Sequence, residues 1–169
     1  MTTNPTIPTS TSGAPPARST EETELWVKAY QGEVFGEAYF ARMAEHTADP
    51  DRRVKVEALA TLERRTKELL EPALSRLGLR TDADRNLAAM VSGGADFDYD
   101  QMLVSVPPLA AEYLLSYARL RRLVAPEDFH VVDQLIAHEL ALELFAFRER
   151  AGDIERSLEP IRALVHVGL

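Results

Sequence analysis

Cysteine is absent from this chain of 169 residues. That excludes a disulfide scaffold, a thiolate metal site and a cysteine nucleophile. Basic residues are outnumbered, 19 Lys and Arg against 27 Asp and Glu, for a formal net charge of −8. An acidic balance argues against nucleic acid or an anionic lipid surface as the main partner. No apolar run approaches the roughly 18 residues that a membrane span requires, and the N-terminus carries no apolar secretion segment. The expectation is a soluble, cytoplasmic protein. Strand signals are scarce: there is no sustained alternation and no Asn-Gly or Asp-Gly hairpin turn. Gly-rich phosphate loops and a nucleophile elbow are missing too.

What is present is a core's worth of apolar residues, 46% of the chain, enough for one ordinary domain. Residues 1–20 stand apart. They are rich in Thr, Ser, Pro and Ala, with Arg18 the one charge and four of the ten prolines. Such a segment cannot bury enough apolar surface to offset its ordering entropy, so it reads as a disordered tail. From Ser19 onward the punctuation is helical. Ser19 and Glu22 have capping-box spacing, opening a first helix that runs to about Thr47. Asp49-Pro50 supplies an N-cap and a first-position proline for a second helix ending near Gly78, with Pro72 predicting a kink or early stop. Thr81 and Asp84 start a short helix that Gly93-Gly94 stops. A third long helix spans about Asp98 to Val124, interrupted at Pro107-Pro108. Pro126 opens a fourth, Gly152 closes it, and a short amphipathic segment broken at Pro160 follows. The fold class is all-α, with four principal helices in a bundle.

Advancing each helix by about 100° per residue locates polar groups inside the apolar arcs. On the first helix Glu33 and Glu37 project from a face shared with Trp26, Tyr30 and Phe40. On the second, Glu63 and Thr66 lie within an arc of Val56, Leu59, Leu62, Leu70 and Leu74. On the fourth, Glu139 and Glu143 fall among Val131, Val132, Leu135, Ile136 and Leu142, with His138 at the arc's edge. Glu112 borders the Tyr113, Tyr117 and Leu120 stripe of the third helix. An unpaired buried carboxylate costs several kcal/mol, and converging ones repel each other. They must be protonated, paired or wrapped around a metal. Lys67, four residues after Glu63, is placed to pair with it.

The stretch Ala29-Tyr30-Gln31-Gly32-Glu33, followed by Tyr39-Phe40-Ala41, resembles the first helix of ferritin-like proteins, especially the rubrerythrin branch. In that superfamily helices one and three each give a Glu, while helices two and four each give Glu-x-x-His. The resemblance implies an antiparallel four-helix bundle over residues 21–169, with a short crossover helix and a short C-terminal helix. It implies Glu33, Glu63, Glu112 and Glu139 as metal ligands, and iron or manganese in a carboxylate oxidoreductase. Glu37 and Glu143 extend the same faces by one turn, either as substitute ligands or as interface salt-bridge partners. Both family histidines are replaced, by Thr66 and Leu142. The other reading is a metal-free helical module acting in dimerisation or partner binding. Gly32 and Gly36 offer a strip for a close helix approach, and surplus apolar positions beside them predict a two-fold homodimer with Phe35 among its contacts. Substrate and redox partner are not legible.

Overall fold

The computed structural model describes residues 18–79 and 98–166. Among them there are only helices and the turns between them: α1 (Thr20–His46), α2 (Pro50–Arg76), α3 (Tyr99–Leu123), α4 (Phe129–Ala151) and α5 (Glu159–His166). None is long and apolar enough to cross a membrane. The N-terminal tail up to residue 17 and the short helix expected after Thr81 lie outside the described residues.

The helix ends follow the chemistry of their caps. The Ser19 hydroxyl accepts from the Glu22 N–H at 3.1 Å, and the Asp49 carboxylate accepts from the N–H groups of Asp51 and Arg52. These bonds satisfy donors that the first helical turn leaves free. Gly152, at φ 82°, closes α4 in the left-handed conformation that a Cβ would strain. Arg18 donates to the Leu77 carbonyl at 2.9 Å, tying the start of α1 to the end of α2.

The prolines do less than their positions suggest. Pro72 lies inside α2, which continues to Arg76. The carbonyl it deprives of a donor belongs to Glu68, and both residues are exposed, where water can take over the missing bond. Nor do Pro107 and Pro108 interrupt α3. Leu103, Val106 and Ala110 stay buried on one face across them, and that packing holds the two segments as one helix. Pro160 opens α5 rather than breaking it, since the first turn of a helix needs no N–H there.

α1 packs along α2 and α3 along α4, while α2 meets α4 and α1 meets α3. Cross-links fix the directions. Lys55 reaches Glu149, Thr66 reaches His138 and Arg76 reaches Asp128, so α2 and α4 are antiparallel. Each long helix lines the interior with residues alternately three and four apart, as near-parallel packing demands. On α4 these are Val131, Leu135, His138, Leu142 and Phe145, all buried. They form two apolar clusters. One gathers Trp26, Leu70, Tyr117 and Leu135; the other gathers Phe40, Leu59, Met102 and Phe145. α5 seals the second cluster with Ile161, against α2 and α4. It leaves Phe35 39% exposed, stacked on Tyr39.

Candidate metal centre

Between the two apolar clusters lies a polar layer to which every long helix contributes. Glu33 comes from α1, Glu63 and Thr66 from α2, and His138 and Glu139 from α4. All five are buried, with relative exposures from 1% to 5%. Tyr113 and Tyr117 of α3 complete it.

Geometry fixes several protons. The Thr66 hydroxyl donates to the Leu62 carbonyl at 3.1 Å, so its one hydrogen is spent. It sits 2.8 Å from His138 Nδ1 and must therefore accept from that nitrogen. Nδ1 thus carries a proton, and Nε2 is the nitrogen turned to the carboxylates, 3.5 Å from Glu63 Oε1. Glu33 Oε2 lies 3.8 Å from Nδ1, beyond hydrogen-bond reach. That oxygen is buried without a hydrogen-bond partner, and so is the Tyr117 hydroxyl.

The electrostatics follow from crowding charge in a buried layer. Burial raises Glu33 well above the usual carboxyl range; His138 pulls it down, but Glu63 and Glu139 push it up again. Glu139 is raised to about 8, by burial first and by Glu63, against the pull of His138. For His138 burial opposes the charge, yet Glu33, Glu63 and Glu139 together outweigh it and lift the imidazole to about 10. Tyr113 is pushed to about 12 by burial and then by the same carboxylates. Without a cation, the layer holds protons to contain its negative charge.

Two glycines make room for it. A Cβ at Gly36 would overlap the Glu63 carboxylate, and one at Gly32 would stand 2.8 Å from the Tyr113 hydroxyl. The strip expected to seat a helix of the same chain or a second copy faces side chains of α2 and α3. Above it a cavity of about 270 Å³ opens between α1 and α3, and reaches Glu33, Glu63, His138 and Glu139 at its inner end.

Of the six carboxylates picked from sequence, Glu33, Glu63 and Glu139 meet here. Glu37 is half-buried and engaged in an ion pair with Lys67. Lys67 therefore serves Glu37 across the α1–α2 contact and not Glu63, which turns inward beneath Gly36. Glu143 is half-buried, one turn beyond Glu139, and Glu112 is exposed on the outside of α3. The residue misplaced is His138, which the sequence suggests as an edge residue, either a displaced ligand or, more simply, a boundary group. It lies at the centre of the inward face of α4, one turn before Leu142. Residues four apart share a helix face, so an imidazole at 138 serves the same interior as one at 142. Thr66 in the opposing arc was the available sign.

Glu33, His138 and Glu139 each bring one ligand atom within 4.8 Å of the others, close enough to hold a metal ion. The donors suit one. Carboxylate oxygen and imidazole nitrogen bind first-row divalent metals, and a cation would satisfy the Glu33 oxygen that accepts no hydrogen bond. No known protein family, curated protein or solved structure matches the chain.

Proposed function

We propose that Glu33, Glu63, His138 and Glu139 hold one iron or manganese ion, and that the protein is a metal-dependent oxidoreductase built on a ferritin-like four-helix bundle. The observation that carries this reading is the buried Oε2 of Glu33, which accepts no hydrogen bond, within a group of three carboxylates and one imidazole. A bound ion of this kind supplies Lewis-acid or one-electron chemistry at the inner end of the cavity.

The chain's own residues prepare the site. Thr66 fixes the His138 tautomer by accepting its Nδ1 proton and turns Nε2 toward the carboxylates. The two apolar clusters exclude water from either side. Tyr113, held neutral by burial and carboxylates, offers a hydroxyl beside the cavity. One ion is preferred to two because Glu112, the fourth carboxylate of the family pattern, faces solvent. A metal-free module is the second reading. What favours it is the opposition of His138 to Glu33 and Glu63, which balances charge without a metal.

Metal analysis of protein grown with iron or manganese tests the first reading. About one ion per chain is expected, lost in Glu139→Ala and in His138→Ala. Protein that carries no transition metal, and whose melting temperature does not move on adding either ion, establishes the second.

A further inference from the structure

The cavity is framed by a wall quite unlike its inner end. Phe35, Tyr39, Met102, Val106 and Leu109 line it between α1 and α3, and the charged groups are confined to the far end. At the outside Phe35 is 39% and Leu109 48% exposed, so the apolar path begins in solvent. A charged molecule travelling this path would shed its hydration with no counter-charge along the wall. At about 270 Å³ the space is nearly twice the ~150 Å³ dry cavity known to accept benzene, which scales to a guest of about ten heavy atoms. Glycine at 32 and 36 lets Tyr113 and Glu63 lie close against α1, which shapes the inner end of the chamber.

We infer that this chamber binds one uncharged, mainly apolar small molecule of about ten heavy atoms, with a single hydroxyl or carbonyl end seated at the Glu33–Glu63–His138–Glu139 layer and the apolar body between α1 and α3. The inference deepens the metal reading by naming its substrate class. It rests on that reading for the reaction, while binding itself needs only the chamber.

Calorimetric titration of the full chain with linear primary alcohols, from butanol to dodecanol, tests it in metal-stripped and metal-loaded protein. Saturable one-to-one binding is expected, strongest near octanol and decanol, and at least tenfold weaker for the alkylamine and fatty acid of equal length. Leu109→Trp fills the chamber from a solvent-facing position and should weaken binding at least tenfold. Ser105→Trp, also exposed and on the same wall, serves if the first variant folds poorly. Metal content, measured on the same samples, should not change in either. Absence of saturable binding at every chain length overturns the inference, as does binding that neither tryptophan alters or that favours the charged homologues. Metal uptake without alcohol binding removes this inference alone; alcohol binding by a chain that never takes metal removes the metal reading alone.

Discussion

Near one end of the long helices Lys55 meets Glu149 at 2.5 Å, with side chains only 10% and 6% exposed, while at mid-length Glu33, Glu63, His138 and Glu139 crowd together. In the first set both Glu149 oxygens are engaged, one by Lys55 and the other by the Tyr99 hydroxyl at 2.9 Å. Burial pushes the Glu149 carboxyl up, but hydrogen bonds from Lys55, Ser157 and Tyr99 outweigh it and leave the group below its usual range. In the second set burial and like charge win, and Glu33 and Glu139 are raised. Both sets are enclosed, yet only one is complete. A finished charged group stabilises a fold; an unfinished one marks a candidate site for a ligand.

The comparison can be broken at several points. The largest effect is expected from Lys55→Met, which strands the Glu149 carboxylate and should cost about 3 kcal/mol in denaturant unfolding. A loss under about 1 kcal/mol would show that the pair is no more valuable than a surface bridge. Gly36→Ala comes next. Its Cβ overlaps Glu63, so about 1–3 kcal/mol should be lost, together with metal binding, because Glu63 must leave the layer. Unchanged stability and metal content would mean that Glu63 moves without consequence.

Glu33→Gln should behave oppositely to Lys55→Met. Removing a carboxyl crowded by Glu63 and Glu139, with one oxygen accepting no hydrogen bond, should leave the metal-free chain as stable as before or up to about 1 kcal/mol more so, while metal uptake falls. A destabilised metal-free variant would place Glu33 with the finished set. The smallest effect is that of pH on the metal-free chain. Folding raises Glu139 from 4.5 to about 8 and His138 from 6.5 to about 10. The folded state therefore binds more protons than the unfolded one across this span, and its stability declines as pH rises. Melting in chelator should be lower at about pH 9 than at about pH 6. Bound metal should flatten that difference, since it takes the place of the protons.

Much of this was readable from sequence where the signal is local. Ser19, Asp49-Pro50 and Gly152 announce helix ends because each satisfies or releases a specific backbone group. Glu33, Glu63 and Glu139 stood out as charges within apolar arcs. His138 did not, because an arc drawn through Ile136, which is only half-buried, leaves out Ala141 and Phe145, which are buried on the His138 side of the helix. Without them a central residue stands at an apparent edge. Lys67 escaped for a different reason: spacing along one helix favoured Glu63, but a neighbouring helix supplied Glu37. Glu112 borders a stripe that Ala110, Tyr113 and Tyr117 already fill, which leaves it outside. None of the signals in the sequence could show the cavity, since it exists only between α1 and α3.

The polar layer also bears on how the helices find their alignment. Leucine-rich faces can slide past one another by a turn and still bury leucine, so apolar packing alone specifies position weakly. Here a slide of α4 by one turn would bring Leu142 opposite Thr66 and carry His138 among leucines. Glu33 would lose its nearest positive neighbour, and the imidazole its hydrogen bond. Each displaced group would be buried without compensation, at a cost of several kcal/mol. The side chains of this polar layer therefore act as a set of keys, admitting one relative placement of the helices and rejecting its neighbours.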